Sequence, residues 1–152
     1  MIKKFIEISF IFYLMSFLTS CGYEPLNKKL NLNKMTISGK TFSGDKQINR
    51  RIFNKLNLEE SKNSSNYKIK LDSAIKVLPL SKDQSGNVIS YKTIITVNVT
   101  LTKNVIILKD KTFEKSKTYS NLSNKFELSK YQNDIQNNII NSIAQDIRIF
   151  LN

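Results

Sequence analysis

Ile89-Ser90-Tyr91-Lys92-Thr93-Ile94-Ile95-Thr96-Val97-Asn98-Val99-Thr100-Leu101-Thr102 is the clearest alternation in the chain. Ile89, Tyr91, Ile95, Val97, Val99 and Leu101 fall on one face of an extended backbone. Ser90, Lys92, Thr96, Asn98, Thr100 and Thr102 fall on the other, interrupted by Ile94. A period of two with β-branched residues dominant is the pattern of a long, half-buried strand. One apolar face requires a cover, and the rest of the chain supplies it.

Upstream, Lys82-Asp83-Gln84-Ser85-Gly86-Asn87 is a turn, with Gly86 free to take positive φ. Before it, Tyr67, Ile69 and Leu71 alternate with Lys68, Lys70 and Asp72, a pattern that weakens near Ala74 and is expected to end around Pro79. Downstream, register becomes ambiguous near Lys103-Asn104. Val105 to Leu108 is continuously apolar and admits a bulge or a second turn. The favoured reading is a continued strand that turns at Lys109-Asp110-Lys111. Thr112 to Ser120 then returns as a polar strand, in which Lys115 and Lys117 discourage edge-to-edge pairing.

Two amphipathic helices flank this β region. Asp45 caps a helix over about 46–57, where Ile48, Ile52 and Leu56 form a stripe widened by Phe53. The C-terminal helix carries Leu128, Tyr131, Ile135, Ile139, Ile143, Ile147 and Phe150 at steps of three or four. Ser129 with Gln132 fits a capping box at its start. Met35 to Ser38 reads as a short first strand, Gly39 to Gly44 as a turn, and Leu58 to Asn66 as a loop that includes the solvated pair Glu59-Glu60. The expected fold is an α/β (α+β sandwich) domain over 35–152. It has a four-stranded mixed sheet, two helices packed on one face and the order β-α-β-β-β-α. The other sheet face is expected to stay polar.

The N-terminus has the parts of a lipoprotein signal peptide over 1–20. Lys3 and Lys4 precede an apolar run from Ile8 to Leu18, and Thr19-Ser20 lead to Cys21, the only cysteine. Glu7 is unusual so close to the apolar run. That run is about half the ~20 residues that a membrane-spanning helix needs. The reading is a lipid-modified Cys21 followed by a polar tether over 21–34; the alternative is an uncleaved anchor with an incidental cysteine. Acyl chains contribute about 0.8 kcal/mol per buried methylene, so several on one residue anchor firmly. Gly22, in place of an aspartate, favours the outer membrane over the inner.

Composition narrows the function. The chain carries 24 basic and 12 acidic residues, a net +12, and residues 1–20 hold Lys3, Lys4 and Glu7, leaving a net +11 beyond them. Such charge suits an anionic partner, and export argues against nucleic acid. Abundant Lys, Asn and Ile also fit the drift of an AT-rich genome, which offers a second origin for the charge. There is no histidine, so no imidazole base, triad or histidine metal ligand exists. None of the four glycines lies in a phosphate-cradling pattern. No cofactor, no metal and no enzymatic activity are expected. Asn63-Ser64-Ser65, Asn98-Val99-Thr100 and Asn121-Leu122-Ser123 match the glycosylation pattern as chance consequences of an Asn-rich chain.

With Cys21-Gly22-Tyr23-Glu24-Pro25-Leu26 at its head and Thr96-Val97-Asn98-Val99-Thr100 in its long strand, the chain resembles the lipopolysaccharide-assembly lipoprotein family LptE. The resemblance covers essentially the whole mature chain and rests on short motifs, element order and length. It implies an outer-membrane lipoprotein that sits in the lumen of the LptD β-barrel. There it would plug the barrel, assist its assembly and bind lipopolysaccharide during delivery to the outer leaflet. The resemblance marks Lys82 in the loop before the long strand, Lys92 along that strand, and Lys130 in the Leu128-Ser129-Lys130 opening of the last helix as candidate lipopolysaccharide contacts. Basic residues are expected directly before the glycine of that loop, where this chain has Gln84-Ser85. Two other readings compete: a generic outer-membrane lipoprotein with a scaffold or adhesin-like role, and a periplasmic Ser-Lys hydrolase, for which no Ser-x-x-Lys match stands out.

Cys21→Ala is expected to abolish lipidation and leave an unprocessed precursor. Metabolic labelling with a palmitate analogue checks this, and a mutant that still takes the label contradicts it.

Overall fold

The computed structural model describes residues 35–61 and 66–152. The signal peptide, the 21–34 tether, Cys21 and Asn63-Ser64-Ser65 lie outside them. The described elements run β1 (Thr36–Ile37), β2 (Gly39–Gly44), α1 (Lys46–Leu56), β3 (Glu59–Glu60), β4 (Tyr67–Lys82), β5 (Val88–Lys103), β6 (Ile106–Ser120) and α2 (Lys125–Leu151). One mixed sheet has the order β2-β4-β5-β6, with β2 parallel to β4 and the other pairs antiparallel. β1 and β3 form a separate parallel pair. The α+β architecture with both helices on one face of a four-stranded mixed sheet agrees with the pattern of the sequence.

The core lies between that face and the helices. Ile69, Leu71, Ile95, Val97 and Val99 from the sheet are buried against Ile48, Ile52 and Leu56 of α1 and Ile135, Ile139, Ile140, Ile143 and Ile147 of α2. α2 depends on this packing. Its six isoleucines and four asparagines are poor helix formers, costing about 5 kcal/mol relative to alanine. Burying five of those isoleucines contributes about 10 kcal/mol, so tertiary contact outweighs local propensity.

Five local expectations need correction. Glu59–Glu60, read as part of a loop, is a strand paired in parallel with Thr36–Ile37. The edge strand beside β4 is Gly39–Gly44, and not Met35–Ser38. Its two glycines resemble a turn, yet Lys40 and Phe42 alternate toward α1, where Phe42 meets Phe53 edge-on at 5.8 Å. β4 does not end at Pro79 but runs on to Lys82. Beyond Ser73 it has no neighbour on the β2 side, so the missing proline donor costs no ladder bond there. The turn after β5 is Asn104-Val105 instead of Lys109-Asp110-Lys111. Asn104 takes φ 56°, which asparagine tolerates, and a bulge at Leu108 absorbs the extra residue of the apolar run. α2 starts a turn earlier than the Ser129–Gln132 box: Asn124 is the cap, accepting from the backbone N–H of Phe126 at 2.9 Å and Glu127 at 3.3 Å. Asn124 and Glu127 have the same spacing as a capping box, and asparagine is among the strongest caps. Asp45 caps α1 as expected, accepting from Gln47 and Ile48.

The junction of β2 and α1 is the tightest point of the fold. Gly44 has φ +67°, and a Cβ there would lie 2.1 Å from the Ser73 carbonyl oxygen. Asp45 donates its N–H to that oxygen at 2.8 Å, and the Ser73 hydroxyl donates to the Asp45 carbonyl at 3.0 Å. Buried Asn49 donates to the Ser43 carbonyl at 2.5 Å and locks the first turn of α1 to the strand end. Gly44→Ala is expected to destabilise the domain by about 1–3 kcal/mol from backbone strain alone, with the steric clash added. Denaturant unfolding checks this; a change within a few tenths of a kcal/mol contradicts it.

Candidate functional site

The sheet is longer than the helices that cover it. At about 3.3 Å per residue, the strand β4 extends roughly 50 Å. Its core-facing positions are covered through Ile75, and the residues beyond are exposed. Val77, Leu78, Leu80 and Ile89 are 43–54% exposed on the distal part of the β4–β5 hairpin. Leu80 and Ile89 occupy two register shifts in its ladder, and such bulges twist and bend a ribbon.

The start of α2 returns to this end. Asn121 donates its backbone N–H to the Ile89 carbonyl at 2.8 Å, and its side-chain amide to the Val88 carbonyl at 2.7 Å. Behind this tie, Tyr91 stacks on Tyr119 and Tyr119 meets Tyr131 edge-on, each pair at 5.8 Å between centroids. The Thr93 hydroxyl donates to the Tyr119 phenol at 3.3 Å. Phe126, 80% exposed, and Tyr131 add apolar surface from the first two turns of the helix. An exposed apolar rim, backed by a rigid aromatic stack, therefore forms where the hairpin meets α2.

The three candidate lysines frame this end without converging on one point. Lys82 closes β4 at the tip and is exposed. Lys92 lies on the polar sheet face, opposite Leu78 and Thr118 and about 13 Å along the strand from the Val88 partner of Lys82. Lys130 is exposed in the second turn of α2, on the helical side of the sheet. The sheet thus separates Lys92 from Lys130. The sequence reading missed the exposed apolar group. Its signal was the consecutive Val77-Leu78 and Leu80, where alternation fails because no helix covers that stretch.

Asp83 shapes the turn between the strands. It accepts from the backbone N–H of Ser85 at 2.9 Å and of Asn87 at 2.8 Å, and from the Asn87 side-chain amide at 3.1 Å. Gly86 supplies φ 86°. Donation by the Asn87 side chain, then by its backbone, holds the Asp83 carboxyl below its ordinary range. Among the described residues, no group of three or more Cys, His, Asp or Glu side chains could hold a metal ion, and no helix is long and apolar enough to cross a membrane.

The polar sheet face has a different character. Thr96 donates to Glu114 at 3.0 Å, Asn98 to Thr112 at 3.1 Å, and Thr100 to Asp110 at 2.7 Å. Lys68, Lys70 and Lys76 line the β4 side of the same face. Opposite it, the edge strand β6 turns Lys109, Lys111, Lys115 and Lys117 toward the helices, in register with core positions of β5. Lys115 pairs with Asp146 at 2.8 Å, and Lys109 donates to the last carbonyls of α2, Phe150 at 2.7 Å and Leu151 at 3.1 Å. Inward-pointing charges of this kind protect a sheet edge. An open groove of about 460 Å³ runs between β6 and the last turns of α2, lined by Lys111, Phe113, Asp146 and Phe150 among others.

No protein-family model matches the chain, and no curated protein matches it. Solved structures do. The rare lipoprotein B from Shewanella oneidensis superposes with a TM-score of 0.59 at 16% identity, covering 74% of this chain and 92% of that one. A minor lipoprotein from Acinetobacter baumannii gives 0.56 at 10% identity, with 75% and 90% covered. Lipoprotein B from Nitrosomonas europaea gives 0.53 at 12% identity, with 79% and 86% covered. At these identities the likeness is one of fold: the chain shares its architecture with bacterial lipoproteins.

The Asp83 turn carries a pH signature. Its folded carboxyl is depressed, so its contribution is present above the unfolded value near 3.8 and is lost as pH falls through the lower folded value. Protection of the Ser85 and Asn87 amides, taken relative to intrinsic exchange at each pH, is expected to fall on acidification below about pH 4, and Asp83→Asn to abolish that change in protection. An acid-insensitive turn contradicts the assignment.

Proposed function

We propose that this chain is an outer-membrane lipoprotein of the LptE kind. It is anchored through acylated Cys21, plugs and helps to assemble the LptD β-barrel, and binds lipopolysaccharide during transport and insertion into the outer leaflet. In this reading it is no enzyme and uses no cofactor; it works by binding.

The observation that carries the proposal is the end of the sheet where the β4–β5 hairpin meets α2. Exposed Val77, Leu80, Ile89 and Phe126 lie there, with Lys82 at the hairpin tip, Lys130 on the helical side and Lys92 on the opposite sheet face. A glycolipid with acyl chains and phosphates needs both chemistries: apolar surface for the chains and ammonium donors for charge-assisted bonds to the phosphates. The hydroxyl- and amide-rich sheet face supports the plug role, because the interior of a large barrel is polar and wet. The shared lipoprotein fold supports the anchor. It equally supports the alternative, a generic outer-membrane lipoprotein with a scaffold or adhesin-like role, since what is shared with the rare and minor lipoproteins is the fold alone.

The tagged protein, isolated in mild detergent, is expected to bring with it a large outer-membrane barrel. Recovery without one, together with normal surface lipopolysaccharide after depletion, favours the alternative. Lys82→Glu with Lys130→Glu is expected to weaken lipopolysaccharide binding roughly tenfold, about 1.4 kcal/mol, with unchanged circular dichroism. Unchanged affinity at both low and high salt removes these lysines from the site.

A further inference from the structure

The opposite end of the sheet carries a second exposed apolar feature, built from a single segment. Val105, Ile106, Ile107 and Leu108 are 93, 68, 62 and 48% exposed at the tip of the β5–β6 hairpin. Four consecutive exposed apolar residues at a two-residue turn serve no core, and such a run is a folding liability unless it meets something. The tip is held firmly. Asn104 donates its N–H to the Asn66 carbonyl at 3.0 Å, Lys103 lies over the Tyr67 ring at 5.2 Å, and Lys109 is bound to the end of α2. Lys103, Lys109 and Lys111 flank the apolar run, and the one acid among them, Asp110, accepts from the Thr100 hydroxyl.

The chain also enters the described domain at this end. Ser38 donates its N–H to the Tyr67 carbonyl at 2.7 Å, Gly39 pairs with Lys68, and Lys68 pairs with Thr102. Met35 therefore precedes a strand that begins beside the β5–β6 turn. The stretch 21–35 reaches at most about 50 Å when fully extended, so a membrane attached at Cys21 lies within reach of this end.

We infer that the Val105–Leu108 tip inserts into the interface of a bilayer bearing anionic headgroups, with Lys103 at phosphate level. Short apolar segments flanked by lysine bury into the boundary between headgroups and acyl chains, and their binding gains from anionic lipid. A second attachment of this kind, added to the lipid anchor, sets the orientation of the domain. The β5–β6 end faces the leaflet and the β4–β5 hairpin points away from it. The inference concerns the anchored chain before it enters a barrel, and it rests on the lipid-anchored reading only for which bilayer is met.

The test uses the full protein purified from membranes and reconstituted into vesicles of phosphatidylethanolamine and phosphatidylglycerol. Val105→Cys and, separately, Ser85→Cys carry an environment-sensitive fluorophore, and nitroxide-bearing lipids quench it. Quenching at Val105 is expected to exceed that at Ser85 several-fold, and adding Ile107→Asp is expected to remove most of the difference while the thermal midpoint holds. Equal quenching at the two positions, stronger quenching at Ser85, or shielding of Val105 only when a barrel protein is present overturns the inference. The wild-type chain, labelled alongside, reports any free thiol at Cys21. A free thiol there ends the anchored reading, and the Val105 to Ser85 ratio on added vesicles still decides the tip.

Discussion

The architecture depends on one constraint: β5 offers a single apolar face. Thr93, Ile95, Val97, Val99 and Leu101 are buried in strict alternation, while the residues between them, Ile94 apart, present hydroxyls and amides on the other face. Both helices must therefore lie on the same side, and the order of elements follows from that. The parallel pairing of β2 with β4 carries α1 across the same face that α2 later covers. The tight junction of Gly44, Asp45 and Ser73 is where the chain leaves the sheet to make that crossing.

Because two helices cover only the middle of a sheet about 50 Å long, its ends are left to other purposes, and the two ends differ in chemistry. At one, the hairpin and the start of α2 combine scattered apolar side chains with lysines from both layers. At the other, a compact apolar tip is braced by lysines that also hold the C-terminus of α2. The lysines of β6 show why charge alone does not locate a site. Lys109 and Lys115 have structural partners, so their positive charge is committed to the fold. The basic excess seen in composition is thus divided between ordinary stability and surfaces free to meet an anion.

Much of this was legible. The alternation of β4 and β5, the Asp45 cap and the isoleucine stripe of α2 were readable because each is a local period set by burial on one side. The errors came where a local signal had two answers. Gly39 and Gly44 spell a turn by composition, but Lys40 and Phe42 make a strand once α1 is above them. Ser129 with Gln132 and Asn124 with Glu127 have the same capping spacing, and the earlier one prevails because Asn124 has already received the chain from β6. At the candidate site, Lys82, Lys92 and Lys130 were nameable, but their placement on different layers was not, since it depends on which side of the sheet α2 occupies.

The sequence by itself determined the α+β class, the polar and apolar faces and the Asp83–Asn87 turn, because side-chain periodicity and turn chemistry act over a few residues. Only the tertiary structure decided where β5 ends, which strand forms the edge beside β4, and how far the helices reach along the sheet. Those outcomes depend on pairing between segments distant in the chain: the Asn104-Val105 turn is fixed by the match of β6 to β5, and β4 passes Pro79 because its neighbour stops at Gly44. The exposed apolar ends follow from the same mismatch in length, which no local pattern records.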